Sequence, residues 1–163
     1  MRRIRWYRVV ILIAVIIAAA AGYFLARGFS ARTPPNRIEA FIAPRLRHLA
    51  VPRGALDAKN PVASSPEVLL EAMEHFADHC AICHGTDGAG KTQIANGLYP
   101  KPPDMRLPAT QNLSDGEIYY IIHNGVRFTG MPAFGEASDD NDIDSWKLVI
   151  FIRHKLMIGQ LLF

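Results

Sequence analysis

Apolar residues fall into four patterned stretches, and each predicts a helix. Residues 9–26, from Val9 to Ala26, contain no charged or amide side chain. At 1.5 Å per residue that helix would be about 27 Å long, enough to cross a hydrocarbon core. Over residues 66–82, Val68, Leu69, Ala72, Met73, Phe76 and Cys80 recur at three- and four-residue spacing, which predicts an amphipathic helix. It opens on Ser64-Ser65-Pro66-Glu67, a Ser-x-x-Glu capping signal with proline in the first turn. Ser114-Asp115-Gly116-Glu117 starts a third helix in the same way, with Ile118, Ile121 and Ile122 inward beside Tyr119 or Tyr120, ending near Gly125. Asp139, Asp140, Asp142 and Asp144 precede the fourth, where negative charge suits the positive end of the helix dipole. Trp146, Val149, Ile150 and Ile152 through Leu156 give that helix an apolar face, predicted to pack across the helix at 66–82.

The first stretch has a different use from the other three. Arg2, Arg3, Arg5 and Arg8 precede it, with Trp6 and Tyr7 at interfacial positions. Ala18-Ala19-Ala20 offers a signal-peptide cleavage site, but the apolar run continues through Tyr23-Phe24-Leu25, which favours an uncleaved anchor. Between anchor and folded part, Pro34, Pro35, Pro44, Pro52 and Pro61 interrupt any long helix. A short amphipathic turn capped by Asn36 fits residues 38–42, to lie on the membrane or on a partner. A semi-stiff solvated tether is the favoured reading of the segment as a whole. The expected domains are therefore a transmembrane anchor over 1–26, a tether over 27–63 and one small all-α domain over 64–163.

Charge refines this division. The net charge of +3 is the sum of +9 over residues 1–63 and −6 over residues 64–163. The basic character belongs to the anchor and tether, so it is no sign of nucleic-acid binding. The folded part is acidic, and basic docking surfaces on its partners are expected.

The chemistry centres on Cys80-Ala81-Ile82-Cys83-His84. A C-x-x-C-H run is the attachment pattern of a c-type haem: two thiols near the end of a helix reach the vinyl groups, and the histidine lies under the iron. With this composition an accidental match arises about once in a thousand chains. A structural zinc site needs further ligands, yet Cys80 and Cys83 are the only two cysteines. A redox C-x-x-C wants a βαβ context, which the helical pattern does not provide. The positive residues on the two sides of the anchor nearly balance, so they orient it weakly. Thioether attachment breaks the tie and places the C-terminal part outside the cytoplasm.

Gly85-Thr86-Asp87-Gly88-Ala89-Gly90-Lys91-Thr92 matches the phosphate-binding pattern G-x-x-x-x-G-K-S/T at every position. Its physics requires a buried strand before the loop and a long helix after it. Here a cysteine-bearing helix precedes it, and Gly97, Pro100, Pro102 and Pro103 stop any long helix after it. No nucleotide is expected; the glycines let the backbone turn close to the haem edge.

Two loops supply the remaining candidates. In Tyr99-Pro100-Lys101-Pro102-Pro103-Asp104-Met105 a proline carbonyl can accept from His84 and fix its tautomer, with Pro103 first choice and Pro102 second. In Thr129-Gly130-Met131-Pro132-Ala133-Phe134-Gly135, the methionine between Gly and Pro is held in a forced loop. Its thioether suits the opposite face of the iron, with Met105 as the rival. His75, His79 and His123 read as surface, packing or punctuation residues.

These segments together resemble class I cytochromes c of the membrane-anchored bacterial type: CAICHG on a helix, the loop PPDM, NGVRFTGMPAFG and the terminal SWKLVIFIR. The resemblance covers about residues 66–156. It implies an all-α monohaem fold with one covalent haem c on Cys80 and Cys83, its iron between His84 and Met131, and no enzymatic turnover. The implied role is single-electron transfer on the periplasmic side of the inner membrane. Its implied partners are redox proteins such as an oxidase, a dehydrogenase or a cytochrome bc1-type complex. Alternatives are a haem subunit fixed in a larger oxidoreductase, or a haem-based gas or peroxide sensor if Met131 leaves the iron.

Overall fold

The computed structural model describes residues 2–28, 30–136 and 142–161, with side chains over 6–28, 30–136 and 142–154. Asp139, Asp140 and the tail residues Leu162 and Phe163 lie outside the described residues, as do the side chains of Arg2, Arg3, Arg5, Leu156 and Leu161. Among the described residues every regular element is helical. The chain divides into two units, residues 1–31 and 32–163.

The first unit is one helix, α1 (Arg2–Arg27). Its stretch Trp6–Arg27 is long and apolar enough to cross a membrane, and none of it is buried within the protein. It is a candidate membrane anchor.

The second unit begins with a departure from the expected tether. Residues 37–50 form helix α2 (Arg37–Ala50), followed by the single turn α3 (Arg53–Leu56). Asn36 caps α2 through its side chain, which accepts from the Glu39 amide at 2.9 Å. Pro44 sits inside this helix, where it removes one backbone donor. Arg45 bends back to donate to the Phe41 carbonyl at 2.7 Å. After α3 the chain is fastened to distant segments: the Ser114 hydroxyl donates to the Leu56 carbonyl at 2.8 Å, and Asn60 donates to the Trp146 carbonyl at 2.9 Å. Val51 is buried and Val62 packs against the core. Residues 51–62 are thus part of the folded unit, held by contacts to distant residues that local composition does not reveal.

The core is built by three helical stretches. The first runs as α4 (Pro66–His75), a π-helical turn over Phe76–Cys80, and α5 (Ala81–His84). Ser65 is its cap, accepting from the Val68 amide at 3.2 Å, so the cap stands one residue later than the predicted Ser64. The short α6 (Pro108–Gln111) precedes α7 (Asp115–Asn124), and α8 (Ile143–Leu161) closes the domain. As predicted, α8 packs across α4, with the Phe76 and Phe151 rings 5.2 Å apart. Trp146 stacks on Tyr119 of α7 at 4.2 Å between centroids. Arg153 of α8 ties down the start of α7 through Asp115 at 2.8 Å and the Leu113 carbonyl at 2.5 Å.

Asp142, just ahead of α8, accepts from the amides of Asp144 (3.0 Å) and Ser145 (3.2 Å) and from the Ser145 hydroxyl (2.5 Å). Burial pushes its carboxyl up, but these hydrogen bonds and the nearby His123 outweigh that and hold it below the ordinary carboxylate value. A depressed carboxyl contributes stability above its unfolded pKa and loses it as pH falls through the folded one. Asp142→Ala is therefore expected to cost about 1–2 kcal/mol at neutral pH in urea unfolding. The gap from wild type should narrow below about pH 3.9.

Candidate functional site

Cys80, Cys83 and His84 occupy the C-terminal end of the first helical stretch, and the π turn sets their phase. Ala72, Phe76, Cys80 and His84 are all buried, four residues apart. In a pure α-helix each such step overshoots by about 40°, so the stripe would wind off the core face within three steps. The wider π turn over 76–80 takes up part of that drift, and π turns of this kind recur at functional sites. Cys80 and His84 thereby share one inward face with Phe76.

Cys80 and Cys83 form no disulfide; Cys80 is buried and Cys83 partly exposed. Burial, with a smaller contribution from Cys83, pushes the Cys80 thiol up to about 11. His84 is 8% exposed. Burial lowers its pKa, and the Pro103 carbonyl partly counters this. A neutral ring is the form that can ligate a metal. Nδ1 of His84 makes no hydrogen bond of good geometry, so the Pro103 carbonyl acts as a loose acceptor beside the ring. The Pro103 carbonyl, rather than that of Pro102, is the one close enough to raise the His84 pKa.

The glycine loop after His84 serves this arrangement. Gly90 donates its amide to the His84 carbonyl at 2.7 Å, and Met105 donates to the Gly88 carbonyl at 2.8 Å. Gly90 has φ +68°, and a Cβ there would stand 2.5 Å from the Pro102 carbonyl oxygen and 3.2 Å from that of Pro103. Only glycine lets the proline loop come so close. The segment that mimics a phosphate cradle is therefore stitched between the histidine and the prolines. Asp104 and Arg106 lock the far side of that loop through a bidentate pair at 2.9 and 2.8 Å.

Met131 lies in a loop pinned on both sides. Its carbonyl accepts from the Val126 amide at 3.1 Å, and its amide donates to the Thr129 hydroxyl at 3.1 Å. That hydroxyl donates in turn to the Val126 carbonyl at 2.8 Å. Gly125 turns at φ +66°, where a Cβ would meet the Met131 carbonyl oxygen at 2.8 Å. Met131 is only partly buried. Met105 differs: it is buried in the hydrophobic core, and its carbonyl accepts from Gln111 at 2.6 Å. The rival thioether is already in use as packing.

Three features were not apparent from the residue pattern. Phe128 adopts φ +62° and is 93% exposed, a strained placement for a bulky side chain beside the methionine loop. His123 is buried, stacks on Tyr119 at 5.4 Å and lies 3.7 Å from the Asp142 carboxylate. Glu117, read as half of a capping box, is 1% exposed and turns instead toward α2, meeting His48 Nδ1 at 2.8 Å and Arg47 at 3.8 Å. The two histidines flanking the cysteines, His75 and His79, face each other at 4.9 Å.

Two thiols on successive turns with a buried imidazole directly after them fit the attachment of a covalently held haem. The glycine–proline cradle fits the same group. Residues 68–152, just over half of the chain, match the family described as cytochrome c oxidase, cbb3-type, subunit III. A comparison with curated proteins finds no match. The chain belongs to this family of cbb3-type cytochromes c, and its cofactor is a covalently bound haem c with its iron.

Proposed function

We propose that this chain is a membrane-anchored electron carrier that passes single electrons between protein partners outside the cytoplasm. Cys80 and Cys83 would hold the haem through thioethers, and His84 and Met131 would ligate its iron. When bound, the haem supplies a reversible one-electron couple at its iron. Burial favours the neutral, ligating form of His84, and the Pro103 carbonyl lies beside its ring as the group that would accept from Nδ1. The hydrogen bonds around Thr129 hold the Met131 backbone in place, so little ordering is needed on a change of redox state. With His84 and Met131 both bound to the iron, no position would be left there for a substrate.

The observation that carries this reading is the division of labour between the two loop methionines. Met105 is consumed by the core, and Met131 is presented by a rigid loop. The acidic net charge of residues 64–163 supports basic partners, such as a docking face of an oxidase, a dehydrogenase or a bc1-type complex.

Redox titration of the detergent-purified full chain, followed by exposure of the ferrous form to carbon monoxide, tests the proposal. One single-electron transition and no carbon monoxide binding are expected. Ready binding, or turnover of peroxide, would assign the protein to gas sensing or peroxide chemistry instead. A second reading is favoured by the family itself: a subunit fixed in an oxidase rather than a free shuttle. Co-purification in mild detergent as part of a larger oxidase complex supports it, and a monodisperse single chain contradicts it.

A further inference from the structure

Helix α2 presents its faces the wrong way round for a helix of a folded domain. Ile38, Phe41, Ile42, Leu46 and Leu49 fall at i, i+3, i+4, i+8 and i+11, a single apolar stripe. All five are exposed, Leu49 at 77%, and no residue of α2 is buried. Its polar side makes the contacts to the rest of the unit. Glu39 accepts from the Tyr99 hydroxyl, and this bond, before burial and charge, pushes the Tyr99 phenol up to about 12. Near the other end, Arg47 and His48 meet the buried Glu117 of α7. The helix is fastened at both ends by polar groups, with its apolar face turned outward.

A helix of 14 residues that buries nothing and contains Pro44 is marginal in water. Something must cover the stripe. Ten residue steps separate the end of α1 from the start of α2, a reach of about 35 Å at full extension. The surface of any bilayer that takes up α1 therefore lies within reach of α2. Charge points the same way: residues 27–63 carry seven Arg or Lys against two acids. Arg45 lies over the Phe41 ring at 3.6 Å while donating to the Phe41 carbonyl, which places a positive charge beside the apolar stripe, as an anionic headgroup layer would favour.

We propose that α2 lies in the interfacial zone of an anionic bilayer, with the stripe Ile38–Leu49 toward the acyl chains. Through Glu39 and the Arg47–His48–Glu117 contacts it holds the haem unit against the membrane in one orientation. The segment between anchor and haem is then an orienting raft rather than a loose tether. The proposal rests on the reading of α1 as a membrane anchor.

The test uses the full haem-loaded chain with one introduced cysteine at a time, since thioether attachment leaves Cys80 and Cys83 unavailable to thiol reagents. Leu46→Cys, Leu49→Cys, Ala40→Cys on the other side of the helix, and Val15→Cys in α1 are each labelled with a benzophenone maleimide. The proteins are reconstituted in vesicles of phosphatidylethanolamine and phosphatidylglycerol, irradiated and weighed intact. Positions 46 and 49 should yield phospholipid adducts about tenfold more often than position 40, with position 15 labelled throughout. Lipid adducts at 15 but not at 46 and 49 would overturn the inference while leaving the anchor. No lipid adduct at 15 would remove the anchor and the inference together. Protein–protein adducts at 46 or 49 would make the occupant a second copy, and the bilayer assignment would fall.

Discussion

Replacing Cys80 and Cys83 together by alanine is expected to leave no haem on the chain after denaturation. Either single variant should keep it, through the one remaining thioether. The expectation follows from the placement of the two thiols on successive turns of one helical stretch, with Cys80 facing the core and Cys83 at its edge. No other cysteine exists to substitute for them. Haem-stained denaturing gels and intact mass read the outcome directly. Because Cys80 also belongs to the core beside Ala72 and Phe76, its replacement should lower stability by about 1 kcal/mol beyond the lost attachment. Haem surviving denaturation in the double variant would mean that some other residue holds it.

The second large effect lies away from the haem. Trp146→Ala is expected to cost about 4 kcal/mol, read as a shift of the urea midpoint of the haem-loaded chain. The ring is 4% exposed and stacks on Tyr119, which in turn stacks on His123. One substitution thus opens a cavity where α7 and α8 meet and unsupports the helix that leads into the methionine loop. Domains of this size are stable by only about 5–15 kcal/mol, so the loss is a large share. Trp146→Phe keeps an aromatic face against Tyr119 and should cost no more than about 2 kcal/mol. The Asn60 bond to the Trp146 carbonyl is unaffected by either change, since it uses the backbone. A loss below about 1 kcal/mol for the alanine variant would show that the ring does not organise the core.

These features differ in how far the residue pattern reveals them. The helices starting at Pro66 and Asp115 are legible because serine caps and three- to four-residue apolar spacing are local signals that agree with each other. C-x-x-C-H is legible because covalent attachment fixes the spacing of its parts. The π turn over 76–80 is not, since Phe-Ala-Asp-His-Cys carries no residue that demands it; the demand comes from keeping Phe76, Cys80 and His84 on one face. Residues 37–62 mislead in a different way. The five prolines from Pro34 to Pro61 suggest a spacer, yet Asn36 caps a real helix across Pro44, Val51 is buried, and Asn60 and Val62 are drawn in by partners far along the chain.

Glu117 shows the same limit within a correctly predicted helix. The Ser114 half of the capping box forms, with the Glu117 amide 3.1 Å from its hydroxyl. The carboxylate leaves the helix end for Arg47 and His48, residues about seventy positions earlier. A capping signal reads the backbone of its own turn and is blind to such competitors. The match at 85–92 is the reverse case, a strong local pattern put to another use. Gly90 is small because two proline carbonyls pass beside it.

The ferric absorption spectrum of the purified full chain, compared among wild type, Met131→Ala and Met105→Ala, tests the haem assignment most directly. A weak far-red band, the mark of a sulfur–iron bond, should be present in the wild type and retained in Met105→Ala. It should vanish in Met131→Ala, with a fall in potential on the order of 100 mV or more as the thioether leaves the iron. A band that survives in Met131→Ala, or is lost in Met105→Ala, would contradict His84–Met131 ligation.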